Sequence, residues 1–152
     1  CILASHDDTT ENDVHSSNKY GVKLAEFPTT LEAAKTSKDY NIKVMMGSPN
    51  LLRGGSHSGN ISAKELLEND CLDILSSDYI PSSLIISVVK WGLEIDNLPK
   101  AFAAASHAPS IATNLNDRGL IDNNKRADLV RFKIYQNLPV VKNVWSNGIQ
   151  VS

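Results

Sequence analysis

Three side chains that can bind a metal or accept a proton follow short apolar runs in the sequence: His6, Glu26 and Asp78. Imidazole and carboxylate ligands together suit a borderline divalent metal such as zinc. A water activated by such a metal is the usual nucleophile in hydrolysis. The three residues therefore predict a metal-dependent hydrolytic site, provided that the fold brings the ends of the runs together.

Each of these residues also has a simpler interpretation. His6 could neighbour a helix cap, Glu26 could be a solvated loop residue, and Asp78 could cap the helix that begins near Pro81. Their shared position favours function, because the carboxyl ends of the strands in a parallel barrel converge on one mouth, where active sites lie. Spacing alone leaves both interpretations open.

A second candidate site is the segment from Ser48 to Asn60, which is expected to be a long loop. Glycines allow close approach of the backbone to a ligand, and an arginine can bind phosphate with two hydrogen bonds. The segment then enters a helix capped by Ser62, whose positive end favours anions. The alternative is a flexible surface loop. The candidate phosphate-binding residues are Arg53, Gly54, Gly55, Ser56 and His57.

The elements that must position these residues alternate between strand and helix. Short apolar runs separated by helical stretches predict parallel strands with crossover helices. The expected strands are Ile2–Ala4, Val22–Ala25, Ile42–Met46 and Leu72–Leu75. Helix starts are expected where Thr29 and Glu32, and Ser62 and Glu65, have capping-box spacing, and at Pro81, with a further helix over Leu98–Ser106.

The C-terminal third changes character and predicts antiparallel strands. Ala127–Ile134 and Pro139–Trp145 have strand patterns, and Asn147-Gly148 predicts a hairpin turn before Ile149-Gln150-Val151. We therefore expect an α/β fold in two parts: residues 1–106 as a set of βα units with an extra helix, and residues 107–152 as a helix end with small β-sheet strands.

Composition narrows the possible functions. The chain has 152 residues and a net charge of -2, so a broad nucleic-acid surface is not expected. Two cysteines without metal-type spacing fit a reducing compartment, and we expect a cytoplasmic protein without membrane contact. His15 and His107 fall in helical stretches and are expected to be surface or packing residues. Because the chain opens on a strand-like run, without an initiator Met, we expect it to be part of something larger.

Several blocks of sequence together resemble one enzyme family. They are Ala4-Ser5-His6-Asp7-Asp8-Thr9-Thr10, Leu24-Ala25-Glu26-Phe27-Pro28-Thr29-Thr30, Met46-Gly47-Ser48-Pro49-Asn50, Arg53-Gly54-Gly55-Ser56-His57-Ser58-Gly59-Asn60 and Asp73-Ile74-Leu75-Ser76-Ser77-Asp78-Tyr79. The chain resembles the amidohydrolase superfamily, and within it the diphosphatases that hydrolyse a ribose phosphonate triphosphate in the carbon–phosphorus lyase pathway. The segments 106–110 and 121–126 depart from the usual pattern of that family, away from the expected metal mouth.

This resemblance implies the C-terminal half of a (β/α)8 TIM-type barrel, strands five to eight, with part of a small β-sandwich. It implies His6 and Asp78 as metal ligands, Asp78 as the acceptor of the water proton, and one or two zinc ions in the complete enzyme. Glu26 stands where many members have a histidine, which leaves its ligand role open. The first-strand and fourth-strand ligands of the family have no counterpart here and are expected upstream of Cys1.

The resemblance also implies a substrate and partners. The substrate would be a phosphorylated ribose phosphonate that is cleaved to a 5-phosphate and diphosphate. The half-barrel would pair with a missing N-terminal half or with a second copy of the chain. Two alternatives remain open: another amidohydrolase reaction such as deamination or cyclic amide hydrolysis, and a catalytically inactive interaction fragment.

Overall fold

The computed structural model describes residues 1–55 and 59–152, which divide into two compact units, residues 1–84 and 85–152. The first unit contains, in chain order, β1 (Ala4–His6), α1 (Glu11–Lys19), β2 (Leu24–Glu26), α2 (Leu31–Asp39), β3 (Lys43–Gly47), α3 (Ser48–Arg53), α4 (Ala63–Glu68) and β4 (Ile74–Ser76). Helix α5 (Ser83–Glu94) starts at the end of this unit. The second unit continues with α6 (Leu98–Ala105), α7 (His107–Ala112), β5 (Leu129–Tyr135), β6 (Leu138–Ser146) and β7 (Ile149–Gln150).

Strands β1 to β4 form one parallel sheet in the order of the sequence. Parallel neighbours require a crossover connection, which helices provide between each pair of strands. The predicted βα alternation is confirmed, with β1 and β4 as the two edges of the sheet.

One face of this sheet packs against the helices. Ala25 and Val44 are aligned on neighbouring strands and are buried on that face. They belong to two clusters of buried side chains, one made of Val14, Val22, Ala25, Ala33 and Ile42, the other of Ala34, Val44, Met46, Ile61, Ala63, Leu66 and Cys71. The alternating side chains of a strand point to opposite faces, so the other face carries His6, Glu26 and Met45.

The helices that lead into β2, β3 and β4 end in the same way. After α1, the N–H of Gly21 donates to the carbonyl of Asn18 and the N–H of Val22 donates to that of Ser17. Equivalent bonds follow α2 at Asn41 and Ile42. These pairs form Schellman turns with one residue at positive φ. After each of these turns a buried residue, Val22 or Ile42, leads into the next strand.

A charged network lies at the N-terminal ends of β3 and β4. The carboxylate of Asp73 accepts from Lys38 Nζ at 2.7 Å and lies 3.5 Å from Lys43 Nζ. Its second oxygen accepts from the backbone N–H of Val44 at 3.0 Å. The side chain of Asp73 is only 15% exposed. This network joins α2, β3 and the residue that precedes β4.

Two expectations about local structure were wrong in detail. The strands begin and end later than predicted, so His6 and Glu26 are the last residues of β1 and β2 instead of following them. The cap of α2 is Thr30, because Thr29 bonds to the loop after β1, and Glu32 accepts from the N–H of Glu11. At Ser62 the predicted side-chain cap is confirmed, since its Oγ accepts from the N–H of Glu65. The predicted helix over Leu98–Ser106 is confirmed and ends at Ala105.

The segment Ser48 to Asn60 is not a loop throughout. Its first six residues form α3, with Pro49 in the first turn and Gly54 ending the helix at a φ of 81°. Proline is favoured at the start of a helix and glycine just after its end, so the sequence contained signals for this helix. Ser56, His57 and Ser58 lie outside the described residues.

The second unit contains an antiparallel sheet in the order β5-β6-β7. Asn147 and Gly148 both have positive φ, of 51° and 79°, which confirms the predicted hairpin turn. The Phe102 ring of α6 stacks on Phe132 of β5 at 5.3 Å. In the described ranges, helices are all too short or too polar to cross a membrane.

Candidate functional site

His6 and Glu26 lie side by side at the C-terminal end of the parallel sheet. They are the final residues of β1 and β2 and are paired in register. Side chains aligned on neighbouring strands share one face, and the strands are roughly 5 Å apart. The structure therefore brings an imidazole and a carboxylate together on one face of the sheet, at its C-terminal end.

The His6 ring is held from two sides. Its Nδ1 lies 3.0 Å from Asp7 Oδ2, and its ring meets Phe27 edge to face with centroids 5.3 Å apart. The His6 side chain is 59% exposed, so it remains accessible to a ligand. Asp7 thus contacts a candidate ligand directly, although residue type and spacing did not single it out.

Hydrogen bonds tie the loops after β1 and β2 to each other. The N–H of Asp7 donates to the carbonyl of Glu26, and Thr30 Oγ1 donates to the carbonyl of Thr9 at 2.6 Å. Thr10 begins α1 with a capping box, and hydrogen bonds from its backbone and side chain lower the pKa of the Asp13 carboxyl. The loop that carries Asp7 is therefore fixed at both ends.

Positive backbone φ angles recur where the strands of this sheet end. Asp7 has a φ of 61°, Phe27 of 55° and Asp78 of 52°. Such angles are uncommon outside glycine and are costly for a bulky residue such as Phe27. Residues of this kind tend to cluster at functional sites, and here they follow the last residues of β1 and β2 and come shortly after β4.

Asp78 lies two residues beyond β4, at the same end of the sheet. Its Oδ1 accepts from the N–H of Tyr79 at 2.8 Å. The side chain lines a cavity of about 140 Å³, together with Phe27, Pro28, Met46, Gly47, Asn50 and Asn60. The cavity therefore opens at the strand ends, as expected for a site in a parallel α/β fold.

Asn50, at the third position of α3, lines this cavity as well. Its Oδ1 accepts from the N–H of Ala63 at 2.9 Å, which fixes the orientation of the amide because only oxygen can accept. The Nδ2 group of Asn50 consequently remains as the donor. The sequence analysis assigned no role to Asn50 or Gly47. The signal that could have found them is the Gly47-Ser48-Pro49-Asn50 run at the end of β3.

Arg53 occupies the last position of α3 and not a glycine-flanked loop. Its guanidinium lies 5.5 Å from the centroid of the Tyr79 ring, next in sequence to Asp78. This cation–π contact places Arg53 near the C-terminal end of β4. Gly54 and Gly55 follow it, while the predicted roles of Ser56 and His57 fall outside the described residues.

The donors at this end of the sheet match a divalent metal in type but not in number. Imidazole and carboxylate oxygens are suitable ligands, and zinc sites usually have at least three protein ligands. Within residues 1–55 and 59–152, histidine, cysteine, aspartate and glutamate nowhere form a group of three able to hold a metal. His6 ends one edge strand, β1, whereas Asp78 follows the other edge strand, β4, and the two strands are separated by β2 and β3.

Comparison with curated proteins gives a relative of known activity. The chain is 46% identical, over 98% of its length, to the α-D-ribose 1-methylphosphonate 5-triphosphate diphosphatase of Escherichia coli (strain K12). The chain spans only 40% of the length of that relative. No protein-family model matches the chain.

Solved structures agree with this comparison in fold. An amidohydrolase from Thermotoga maritima superposes with a TM-score of 0.72 at 22% identity, over 99% of this chain and 43% of its own. A prolidase complexed with N-methylphosphonate-L-proline superposes with a TM-score of 0.68 at 16% identity, over 99% of this chain and 45% of its own. The predicted α/β class with a separate antiparallel sheet is confirmed.

The motifs, the sheet and the comparisons therefore agree. The resemblance inferred from the sequence is confirmed: this chain has the fold of part of an amidohydrolase and is similar over nearly its whole length to a ribose methylphosphonate triphosphate diphosphatase.

Proposed function

We propose that the protein containing this chain hydrolyses α-D-ribose 1-methylphosphonate 5-triphosphate to the 5-phosphate and diphosphate, in the breakdown of organophosphonates. The observation that carries this proposal is the 46% identity to a diphosphatase over 98% of the chain. The position of Asp78 beside a cavity at the strand ends supports it. Cytoplasmic location is part of the proposal.

The proposed metal ligands are His6 and Asp78, with Glu26 as a candidate third because it is aligned with His6. Further ligands would come from a part of the protein beyond these 152 residues, since the described residues supply too few. Zinc is the proposed metal. When bound, a divalent cation would polarise the attacking water and neutralise phosphoryl charge.

The side chains of this chain would act on the water and on the phosphates. Asp78, which lines the cavity, would accept the proton of the attacking water. The Asn50 amide would donate to a phosphoryl oxygen. Arg53, Gly54 and Gly55, with Ser56 and His57, are the proposed binding residues for the outer phosphates; a guanidinium can bind a phosphate through two parallel hydrogen bonds.

Replacing Arg53 tests the phosphate role. Arg53→Ala should weaken binding of the triphosphate by about 1.5 to 3 kcal/mol, or roughly tenfold to a hundredfold, because a charge-assisted hydrogen bond is lost. Metal content should stay unchanged. The matched variant is Tyr79→Leu, which removes the ring beneath the guanidinium but keeps the charge, and its effect on affinity should be smaller. Equal affinity in wild type and Arg53→Ala protein would exclude the phosphate contact.

The reaction products distinguish the proposal from the main alternative. Incubation with the ribose triphosphate should release diphosphate, which a coupled enzymatic assay measures directly. A deaminase or cyclic amidase at the same site would instead release ammonia or open an amide ring. Absence of diphosphate from an active, metal-loaded preparation would overturn the proposed function.

We further propose that β1 to β4 are the fifth to eighth strands of a (β/α)8 barrel. A closed barrel has no edges, whereas β1 and β4 each lack one neighbour among the described strands. Leu3 beside β1 is 47% exposed. Several apolar side chains of the small antiparallel sheet are exposed too. The 152-residue chain should therefore pair with an N-terminal half or with a second copy. Size exclusion with light scattering measures this, and a cooperative, monodisperse monomer would contradict it.

A further inference from the structure

Gly47, the last residue of β3, lies directly against the Asp78 side chain. A β-carbon added at Gly47 would be 2.7 Å from Asp78 Oδ2, 3.1 Å from its Cβ and 3.3 Å from its Cγ. These distances are well inside the roughly 3.5 to 4.0 Å at which non-bonded carbon atoms make their best contact. The carboxylate of Asp78 thus occupies the space that any other side chain at position 47 would need.

Backbone conformation does not explain glycine at this position. The φ of Gly47 is -76° and its ψ is 133°, ordinary extended values that any residue adopts. The requirement for glycine is therefore one of space alone. Residues two apart on a strand share a face, so the empty position belongs to the face that carries Met45 and, through the register, Glu26 and His6.

We propose that Gly47 is a positioning residue for Asp78. The absence of a side chain at position 47 lets the Asp78 carboxylate lie over the end of β3, on the sheet face of His6 and Glu26. Asp78 is oriented there by a second contact, the hydrogen bond from the N–H of Tyr79. This inference rests on the proposed role of Asp78 in catalysis.

The physical consequence of a methyl group at position 47 follows from these contacts. The carboxylate can rotate away from the methyl group, but rotation breaks its bond to the N–H of Tyr79, and the Asp78 β-carbon must also move. The fold therefore tolerates Gly47→Ala at a modest loss, while the carboxylate leaves its working position. Misplacement of a reacting group by about 1 Å can cost on the order of a hundredfold in rate.

A thermal double-mutant cycle tests the contact itself, on the 152-residue chain. Gly47→Ala should lower the melting temperature by a few degrees, on the order of 3 °C. In an Asp78→Ala background the same substitution should cost far less, because the carboxylate is gone. In an Asp78→Asn background it should cost as much as in wild type, because asparagine has the same size. Equal losses in all three backgrounds would show that the contact is not made.

A kinetic cycle tests positioning, in a form of the protein that hydrolyses the triphosphate. Gly47→Ala should lower kcat about a hundredfold and leave KM within about twofold, since a transition-state contact is disturbed. In the Asp78→Asn background, Gly47→Ala should cause no further loss of kcat. The comparison variant is Gly92→Ala in α5, where the added carbon would meet Leu98 Cδ2 at 2.8 Å and Leu98 Cα at 3.0 Å, a clash that does not involve Asp78. Its effect on kcat per folded molecule should be small in both backgrounds.

The outcomes separate this inference from the proposed function. Full activity of the Asp78→Asn protein would overturn the role of Asp78 and with it the basis of the inference. Loss of activity in Asp78→Asn together with normal kcat in Gly47→Ala would leave the proposed function intact and overturn the positioning role of Gly47. The positioning role would also be overturned if Gly47→Ala lowered kcat by the same factor in the Asp78→Asn background as in the wild type.

Discussion

The two ends of the parallel sheet hold their charged residues in different ways. At the N-terminal end, Asp73 is 15% exposed and its two oxygens are taken by Lys38 and by the Val44 N–H. At the C-terminal end, His6 is 59% exposed and Asp78 lines a cavity. The first arrangement satisfies a carboxylate with fixed protein partners, while the second leaves polar atoms available to a ligand.

Backbone geometry differs between the two ends as well. Positive φ at the N-terminal end belongs to Schellman turns, in which residues such as Gly21 and Asn41 close a helix by a standard pair of bonds. At the C-terminal end a phenylalanine, Phe27, has positive φ next to the His6 ring. The comparison shows one end closed by fixed protein partners and one end left open, and the proposed site lies at the open end, as in parallel barrels generally.

The largest expected effect comes from Asp78. In a form of the protein that hydrolyses the triphosphate, Asp78→Asn should reduce the rate on the order of a thousandfold, because the substitution removes the carboxylate proposed as proton acceptor and metal ligand. The melting temperature should change little. Kinetics and thermal denaturation on the same preparation measure both quantities.

Asp70 provides a matched control for that substitution. Asp70 has the same φ as Asp78, 52°, but lies at the opposite end of the sheet, in the turn after α4. Asp70→Asn should leave the rate unchanged. Comparable rate losses in the two variants would mean that the ends of the sheet do not differ in function.

The next largest effect concerns stability at Asp73. Asp73→Ala should reduce the free energy of unfolding by about 2 to 3 kcal/mol, because the buried N–H of Val44 loses its acceptor and Lys38 loses its partner. Asp73→Asn keeps an acceptor and should cost about 1 kcal/mol or less. Urea denaturation of both variants measures this. Activity per folded molecule should be normal. A loss of kcat without a loss of stability would contradict a purely structural role for Asp73.

The smallest expected effect is chemical and concerns the two thiols. Cys71 starts the approach to β4 and is 4% exposed, and burial raises the pKa of its thiol despite the lowering effect of Lys35 and Lys38. Cys1 is exposed. At pH 8, iodoacetamide should modify Cys1 much faster than Cys71, since the thiolate is the reactive form. Mass spectrometry of timed samples follows both sites, and equal rates would show that the N-terminal end of the sheet opens readily.

Much of the fold could be predicted because its signals are local. The alternation of apolar runs and helical stretches gave the βα units, and Asn147-Gly148 gave the hairpin turn. The cap of α2 was missed because Thr29 and Thr30 are equivalent as local caps. In the structure both side chains contact Thr9, in a loop distant in sequence, and only Thr30 Oγ1 also accepts from the N–H of Ala33 at the start of the helix.

The candidate site was less predictable, because much of it depends on space between elements. His6, Glu26 and Asp78 could be found from residue type and position, and their metal role stays a prediction. The need for Gly47 could not be read from the sequence, since it arises from the approach of Asp78, 31 positions later in the numbering. Arg53 was expected in a loop because its glycine neighbours dominated the local pattern, although Pro49 marked a helix start.

The position of cation binding tests the difference between the two ends most directly. Substoichiometric Mn²⁺ added to the isotope-labelled 152-residue chain broadens the amide signals nearest to the bound ion, even when binding is weak. We predict early broadening at Asp7, Phe27 and Tyr79, with the signals of Ile42 and Cys71 unaffected. Broadening centred on the Asp73 end of the sheet, or spread evenly over exposed carboxylates, would contradict a functional site at the C-terminal ends of the strands.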